Sequence, residues 1–141
     1  MPRATTVHIV MTGWLAAAMA ACSSDVSDTD HEHEHEHEHG EATGAVCSDA
    51  STLTYESFGQ DFMAKYCTSC HAATVTGAAR QGAPEGFDFD TVEGVRDHAD
   101  EIDEHAGIGP MAENREMPLD DPLPTDDERS DLAEWLACGA P

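Results

Sequence analysis

Apolar residues recur at helical spacing in three separate stretches of the chain. The three apolar stripes consist of Phe58, Phe62 and Tyr66; of Val92, Val95, Ala99, Ile102 and Ala106; and of Leu132, Trp135 and Leu136. Residues three or four positions apart share one face of a helix, so each stripe predicts an amphipathic helix with one buried face.

The ends of these predicted helices carry capping signals. Thr54 is a suitable N-cap for the first helix. Residues 90–93 resemble a capping box and begin a second helix that extends roughly over residues 91–106. Residues 125–128 form another capping box before the last helix, and Gly139 is placed to end it.

Two long connections separate the helices. Residues 72–89 and 107–124 are rich in Gly and Pro, which predicts loops. The chain contains no run in which apolar and polar residues alternate as they do in a strand. The sequence therefore predicts an all-α domain of about three helices with long loops, over residues 47–141.

The first 46 residues do not fit this domain. Residues 1–21 contain Arg3, an apolar stretch and small residues before Cys22, which resembles a bacterial lipoprotein signal whose cysteine becomes the lipidated first residue. Met19 stands where such signals usually have leucine, and an ordinary cleaved signal or a retained anchor are the alternatives. Residues 22–46 are polar and predict a disordered tether.

Export follows from this signal. We expect an anchored protein that faces the periplasm or the cell surface, and Ser23 after Cys22 resembles a signal for sorting to the outer membrane. Haem attachment to cysteines and disulfide formation are both compatible with that compartment.

Residues 31–39 alternate histidine and glutamate without interruption. The five imidazoles that could bind Zn²⁺, Cu²⁺ or Ni²⁺ belong to His31, His33, His35, His37 and His39. The other interpretation of this stretch is a low-complexity part of the tether that binds no metal.

The formal net charge of −23 changes the list of possible partners. Such an acidic chain is a poor match for nucleic acid or for an anionic membrane surface. It is compatible with a redox partner that presents a basic docking face. The charge also keeps a tethered protein soluble, and we expect a monomer.

The most specific motif is Cys67-Thr68-Ser69-Cys70-His71. Two cysteines three positions apart, followed by histidine, is the spacing that attaches a c-type haem. Cys67 and Cys70 would share one face of a helical turn and bind the two vinyl groups of one haem, and His71 would bind the iron. The motif predicts one covalent haem c.

Two other interpretations of this motif are weaker. A thioredoxin-like dithiol needs a βαβ context, and no strand pattern precedes Cys67. A zinc site needs four ligands, and the chain offers no second CxxC or HxxxH pair.

The remaining cysteines suggest a disulfide. With Cys22 assigned to lipid and the motif cysteines to haem, Cys47 and Cys138 remain at the two ends of the predicted domain. An oxidising compartment favours their pairing. Two free thiols, or pairing with another chain, are the alternatives.

Taken in order, these features resemble a bacterial class I cytochrome c domain over residues 53–141. The resemblance is based on the Cys67–His71 motif, on Met117-Pro118 in the late loop, and on the last helix with Trp135 and the ending Gly139-Ala140-Pro141. It implies that the first and last helices cross, so that Phe58 and Phe62 pack against Leu132 and Trp135, and that Cys47 and Cys138 come close together.

The resemblance also implies a sixth iron ligand from the late loop. Met117 fits this role best because it precedes a proline in a stiff loop. Met111, His98, His105 or an open coordination site are the alternatives, although the two histidines are expected to be solvated on the surface of the second helix.

The expected function is one-electron transfer without an enzymatic activity. His71 and Met117 would fill both axial positions of the iron, so no substrate would need to reach it. A haem peroxidase-type subunit with an open iron, and a lipoprotein that binds divalent metal through residues 31–39, are the two alternative functions.

Overall fold

The computed structural model describes residues 40–141, and these residues form an all-α structure. A π-helical turn at Tyr55–Gly59 continues into helix α1 at Gln60–Tyr66. The other helices are α2 (Val92–Asp97), α3 (Ala99–Ala106) and α4 (Asp126–Ala137). A short 3₁₀ helix lies at Gly77–Arg80, and within residues 40–141 the only β-type pairing is an isolated bridge between Ile108 and Glu113.

The helix starts follow the local signals in the sequence. The Thr54 hydroxyl accepts a hydrogen bond from the Ser57 N–H, as an N-cap does. Thr125 and Glu128 form the predicted capping box at the start of α4. The chain adopts a positive φ of 82° at Gly139, just after α4, where glycine carries no steric penalty.

The second predicted helix differs from the expectation in two ways. Its N-cap is Thr91, whose hydroxyl accepts from the Gly94 N–H, so residues 90–93 do not form a capping box. The helix is also divided at His98, which has φ −125° and ψ 26° and separates α2 from α3. The apolar stripe nevertheless continues across the break, with Val95 and Ile102 both buried.

One hydrophobic core joins all four helices. It consists of Phe62, Met63, Tyr66, Phe89, Val95, Ile102, Ala106, Leu132, Trp135, Leu136 and Ala140. Burial of these apolar side chains is the main stabilising contribution to such a domain.

The N-terminal helical segment meets α4 at a close contact around Trp135. The rings of Phe58 and Trp135 lie 5.8 Å apart in an edge-on arrangement. Gly59 lies directly against the indole, and a Cβ atom at that position would clash with it. Phe62 and Leu132 belong to the same core. The expected contact of Phe58 with Trp135 is therefore present.

The predicted disulfide between Cys47 and Cys138 is confirmed. It links residues that are 91 positions apart, and in the chain-entropy model a loop of that length contributes about 4–5 kcal/mol to the free energy of unfolding. A backbone hydrogen bond from the Tyr55 N–H to the Pro141 carbonyl, 2.6 Å long, ties the same two ends of the domain together.

Residues 40–46, here called the N-terminal strap, correct the predicted domain boundary. They were expected to belong to the disordered tether, but Thr43 is only 1% exposed. Its N–H and hydroxyl both donate to the Asp103 carboxylate, and its carbonyl accepts from the Met111 N–H. The tether prediction relied on the lack of apolar residues, whereas the strap is held by polar hydrogen bonds. Glycines such as Gly109 allow the close approach.

Within residues 40–141, none of the helices has the length and apolar character needed to cross a bilayer. The predicted signal and the lipidation site at Cys22 lie outside the described residues.

Candidate functional site

The three chemically distinctive residues of the motif lie on one turn at the end of α1. The Cys67 N–H donates to the Met63 carbonyl, which continues the helix by one residue. The N–H groups of Cys70 and His71 both donate to the Cys67 carbonyl, at 3.1 and 2.9 Å. Both thiols are free. The spacing therefore brings two unbonded thiols and an imidazole together on a single turn.

His71 is oriented by its backbone partner. Its Nδ1 lies 3.0 Å from the Phe87 carbonyl oxygen. A carbonyl can only accept a hydrogen bond, so Nδ1 carries the proton and Nε2 keeps its lone pair. The imidazole stacks on Phe89 with ring centroids 4.6 Å apart. Burial lowers the pKa of His71, which favours the neutral form that binds metals.

Cys67 has the character of a buried thiol. Desolvation raises its pKa to about 12, and the nearby charge of Arg129 opposes this shift only in part. Redox-active dithiols instead lower the pKa of one cysteine to form a thiolate. The environment of Cys67 is thus unlike that of a thioredoxin-type nucleophile.

A zinc centre is not preformed at the motif. Among residues 40–141, no group of three or more His, Cys, Asp and Glu side chains is arranged to hold a metal ion. A structural zinc site requires four such ligands. Haem attachment requires fewer protein groups, since the macrocycle itself supplies four of the iron's ligands.

Residues 72–89, the His71 loop, are organised by a buried arginine. Arg80 is 4% exposed and forms an ion pair of 2.8 Å with Asp88. Its guanidinium also donates to the backbone carbonyls of Ala72, Val75, Ala83, Pro84 and Phe87. One side chain therefore satisfies five backbone carbonyls of a loop with little regular structure.

Residues 107–124, the Met117 loop, are contacted by a second buried arginine, which lies outside the loop. Arg129 on α4 is 3% exposed, and its Nη1 donates to the carbonyls of Ala106, Asn114 and Met117. The Met117 N–H in turn donates to the His105 carbonyl at 3.0 Å. Both backbone polar groups of Met117 are thereby fixed.

The two candidate methionines have different surroundings. Met117 is half-buried and packs against the core. Met111 is 76% exposed and lies over Gly44 of the strap. The surroundings favour Met117 as the sulfur that could face a buried group.

His98 is not the solvated histidine that was expected. Its ring stacks on Phe87 with centroids 4.1 Å apart, and its Nε2 lies 3.2 Å from the Gly86 carbonyl. It therefore supports the loop residue whose carbonyl holds His71. His105 is half-buried as well.

Sequence reasoning missed both buried arginines, although weak signals existed. The chain has only six Lys and Arg residues against 29 Asp and Glu residues, so each Lys or Arg is a candidate for a specific structural role. Arg129 shares a helical face with Leu132 and Leu136, which indicates burial. Arg80 has no comparable pattern around it.

The other lysine and arginine side chains of residues 40–141 are engaged at the surface. Lys65 pairs with Glu128, and Arg115 pairs with Glu113 and Asp126. Arg96 donates to the Gly139 and Ala140 carbonyls near the C-terminus. The outer surface of this part of the chain is thus dominated by carboxylates.

The histidine tract expected to bind divalent metal lies outside the described residues. Its members are His31, His33, His35, His37 and His39.

Comparison with known proteins gives no relative: no family model, no curated protein and no solved structure matches the chain.

Proposed function

We propose that this protein is a one-electron carrier with a single covalent haem c, in a domain that resembles class I cytochromes c. Cys67 and Cys70 would form the thioethers, and His71 and Met117 would be the axial ligands. The observation that carries the proposal is the turn in which two free thiols adjoin an imidazole whose Nδ1–H is held by a carbonyl. A ligating histidine usually has its other ring nitrogen fixed in this way.

The residues present fit such a group chemically. Nε2 of His71 keeps the lone pair that a metal requires, because Nδ1 donates to Phe87. The two thiols are not paired with each other, so neither is consumed by a disulfide. When bound, the haem supplies an iron that gains and loses one electron.

The Met117 loop would complete the site. Arg129 and the His105 carbonyl hold the backbone of Met117, so the point from which its side chain extends is fixed. A thioether is a neutral, soft donor that favours the reduced iron and raises its reduction potential. With both axial positions filled, the chain would transfer electrons and have no catalytic site.

The partner would be another redox protein with a basic docking face. The chain carries a net charge of −23, and the Lys and Arg side chains of residues 40–141 are buried, ion-paired or, for Arg96, bonded to backbone carbonyls. Charge complementarity of this kind increases association rates and falls with added salt. A lipid anchor at Cys22 would keep the protein on a membrane outside the cytoplasm.

Replacing each methionine in turn tests the ligand assignment. We expect Met117→Ala to keep its haem, to lose the weak far-red sulfur–iron band and to have a lower reduction potential. Met111→Ala is the matched control and should retain the band and the potential. The measurements are visible spectra and potentiometric titrations of the haem-loaded proteins.

The opposite pattern, with the band lost only in Met111→Ala, would transfer the ligand role to Met111. Rapid binding of carbon monoxide to the reduced wild-type protein would indicate an open iron and would contradict the electron-carrier proposal.

A further inference from the structure

The Phe87 carbonyl is shared between His71 and Arg80. It accepts one hydrogen bond from the imidazole Nδ1–H at 3.0 Å and another from the Arg80 guanidinium Nη2 at 3.1 Å. A carbonyl oxygen has two lone pairs, so both bonds form at once. The proposed iron ligand and a buried cation therefore act on the same oxygen atom.

Arg80 cannot easily leave this position. Its Nη1 donates to Ala72 and Val75 and pairs with Asp88, and its Nε donates to Ala83. Moving the guanidinium would leave the buried Ala72 carbonyl and several partly buried acceptors without this donor, and an unsatisfied buried acceptor costs about 1–3 kcal/mol. The hydrogen bond to Phe87 is therefore a permanent part of the surroundings of His71.

Sharing the carbonyl with a cation has an electronic consequence. A carbonyl that already receives a charged donor has less electron density left, so it is a weaker acceptor for the imidazole N–H. A weaker hydrogen bond at Nδ1 makes Nε2 a weaker electron donor to a bound metal. Weaker donation removes more stabilisation from the oxidised metal than from the reduced metal, and this raises the reduction potential.

We propose that Arg80 is a positioning residue that raises the reduction potential of the haem by competing with His71 for the Phe87 carbonyl. The inference rests on the proposed function, since it requires His71 to bind the iron. It assigns to the chain a control of the potential that is separate from the choice of Met117 as the sixth ligand.

Asp88 provides a change of opposite sign at the same place. Its carboxylate pairs with Arg80 Nη1 at 2.8 Å and partly neutralises the guanidinium. Asp88→Asn leaves the arginine in position with more of its charge uncompensated. The Phe87 carbonyl should then be polarised more strongly, and the His71 hydrogen bond should become weaker still.

The test compares haem-loaded Arg80→Gln, Asp88→Asn and wild-type proteins. For Arg80→Gln we expect the equilibrium constant for reduction to fall by about tenfold, which is about 59 mV for a one-electron couple. For Asp88→Asn we expect a rise. Proton NMR of the reduced proteins should show the His71 Nδ1–H resonance moving downfield in Arg80→Gln and upfield in Asp88→Asn.

Arg96→Gln is the matched control. Arg96 also donates to backbone carbonyls, but to Gly139 and Ala140 rather than to Phe87. Arg96→Gln removes one positive charge, as Arg80→Gln does. It should leave the His71 Nδ1–H resonance at its wild-type position.

An Nδ1–H resonance unchanged in Asp88→Asn would overturn the inference, and so would an equal shift in Arg96→Gln. If Arg80→Gln does not fold, the Asp88→Asn result alone decides. In either case, a wild-type visible spectrum with the sulfur–iron band would still support the proposed function. A wild-type protein without haem would instead refute the proposed function, and the inference with it.

Discussion

The His71 loop and the Met117 loop are both irregular, and each is organised by one buried arginine, but the two arginines differ in origin. Every hydrogen-bond partner of Arg80 lies within residues 72–88, in the same loop. Arg129 reaches the Met117 loop from α4. The arginine of the first loop belongs to that loop, to which His98 adds a contact from outside, whereas the arginine of the second loop comes from α4.

The two arginines also differ in charge compensation. Arg80 forms an ion pair with Asp88, whereas no carboxylate of residues 40–141 lies within ion-pair distance of Arg129. Burial lowers the pKa of Arg129, although a guanidinium remains charged at neutral pH. Next to the Met117 loop there is thus a buried cation whose hydrogen bonds go to backbone carbonyls.

The N-terminal strap adds to this difference. It binds the Met117 loop through Thr43 and Met111, and through the Asn114 amide and the Glu41 carbonyl. No hydrogen bond joins residues 40–46 to the His71 loop within the described part of the chain. The position of His71 therefore depends mainly on its own loop and on His98, while that of Met117 depends on three distant segments, and perturbations should displace Met117 first.

The largest expected effect is that of Arg129→Met, which removes the donor to two buried carbonyls and one partly buried carbonyl. We expect the free energy of unfolding to fall by about 2–4 kcal/mol, because unsatisfied buried acceptors are costly. The haem should stay attached through the cysteines while the sulfur–iron band weakens. Denaturant unfolding and visible spectra provide the measurements.

Arg115→Met is the control for that change. Arg115 lies in the Met117 loop but is exposed, and it pairs with Glu113 and Asp126. Because solvent screens exposed ion pairs, its loss should lower the free energy of unfolding much less than the loss of Arg129. Equal stability and equal spectra for the two variants would show that Arg129 does not hold the Met117 loop.

A smaller effect is expected from removing the strap. A mature chain that lacks residues 22–39 should unfold with the wild-type free energy. A chain that lacks residues 22–46 should lose about 2 kcal/mol, since each lost hydrogen bond contributes about 0.5–1.5 kcal/mol. Its sulfur–iron band should weaken, whereas the His71 Nδ1–H resonance should stay unchanged. Equal free energies of unfolding and equal spectra for the two truncated chains would show that the folded domain begins at residue 47, as predicted from the sequence.

The smallest effect concerns Glu128, which links α4 to α1 away from both loops. Hydrogen bonds from the Thr125 N–H and the Tyr66 hydroxyl lower its pKa to about 2. A lowered pKa in the folded state adds stability above the unfolded value of about 4.3, and this contribution is lost as the pH falls towards 2. The stability difference between wild type and Glu128→Gln should therefore shrink over that range.

Unfolding titrations between pH 6 and pH 2, as rough limits, measure this difference. Asp127→Asn leaves the donors to Glu128 in place and should keep the wild-type pH dependence. A difference between wild type and Glu128→Gln that stays constant with pH would contradict the assignment.

Local signals in the sequence were sufficient for much of the fold. Threonine caps predicted the helix starts at Thr54 and Thr125, and apolar spacing predicted the buried faces. The position of two leftover cysteines predicted the disulfide between Cys47 and Cys138. Each of these features depends on a few neighbouring residues or on a simple count.

The parts that could not be predicted depend on contacts to backbone carbonyls. Any residue offers a carbonyl, so the partners of Arg80 and Arg129 leave no pattern in the sequence. The strap escaped prediction for a different reason, because Thr43 is buried by hydrogen bonds to the distant Asp103 carboxylate and not by apolar character. The division of the second helix at His98 accompanies a stacking contact with Phe87 that only the folded chain creates.

The central claim is that Cys67 and Cys70 carry a covalent haem whose iron is bound by His71. Intact-mass measurement of the exported protein, produced together with haem-attachment machinery, tests it most directly, with Cys67→Ala/Cys70→Ala as the control. We predict a wild-type mass that exceeds polypeptide and lipid by one haem, and a control without that increment. A wild-type mass explained by polypeptide and lipid alone would contradict the account.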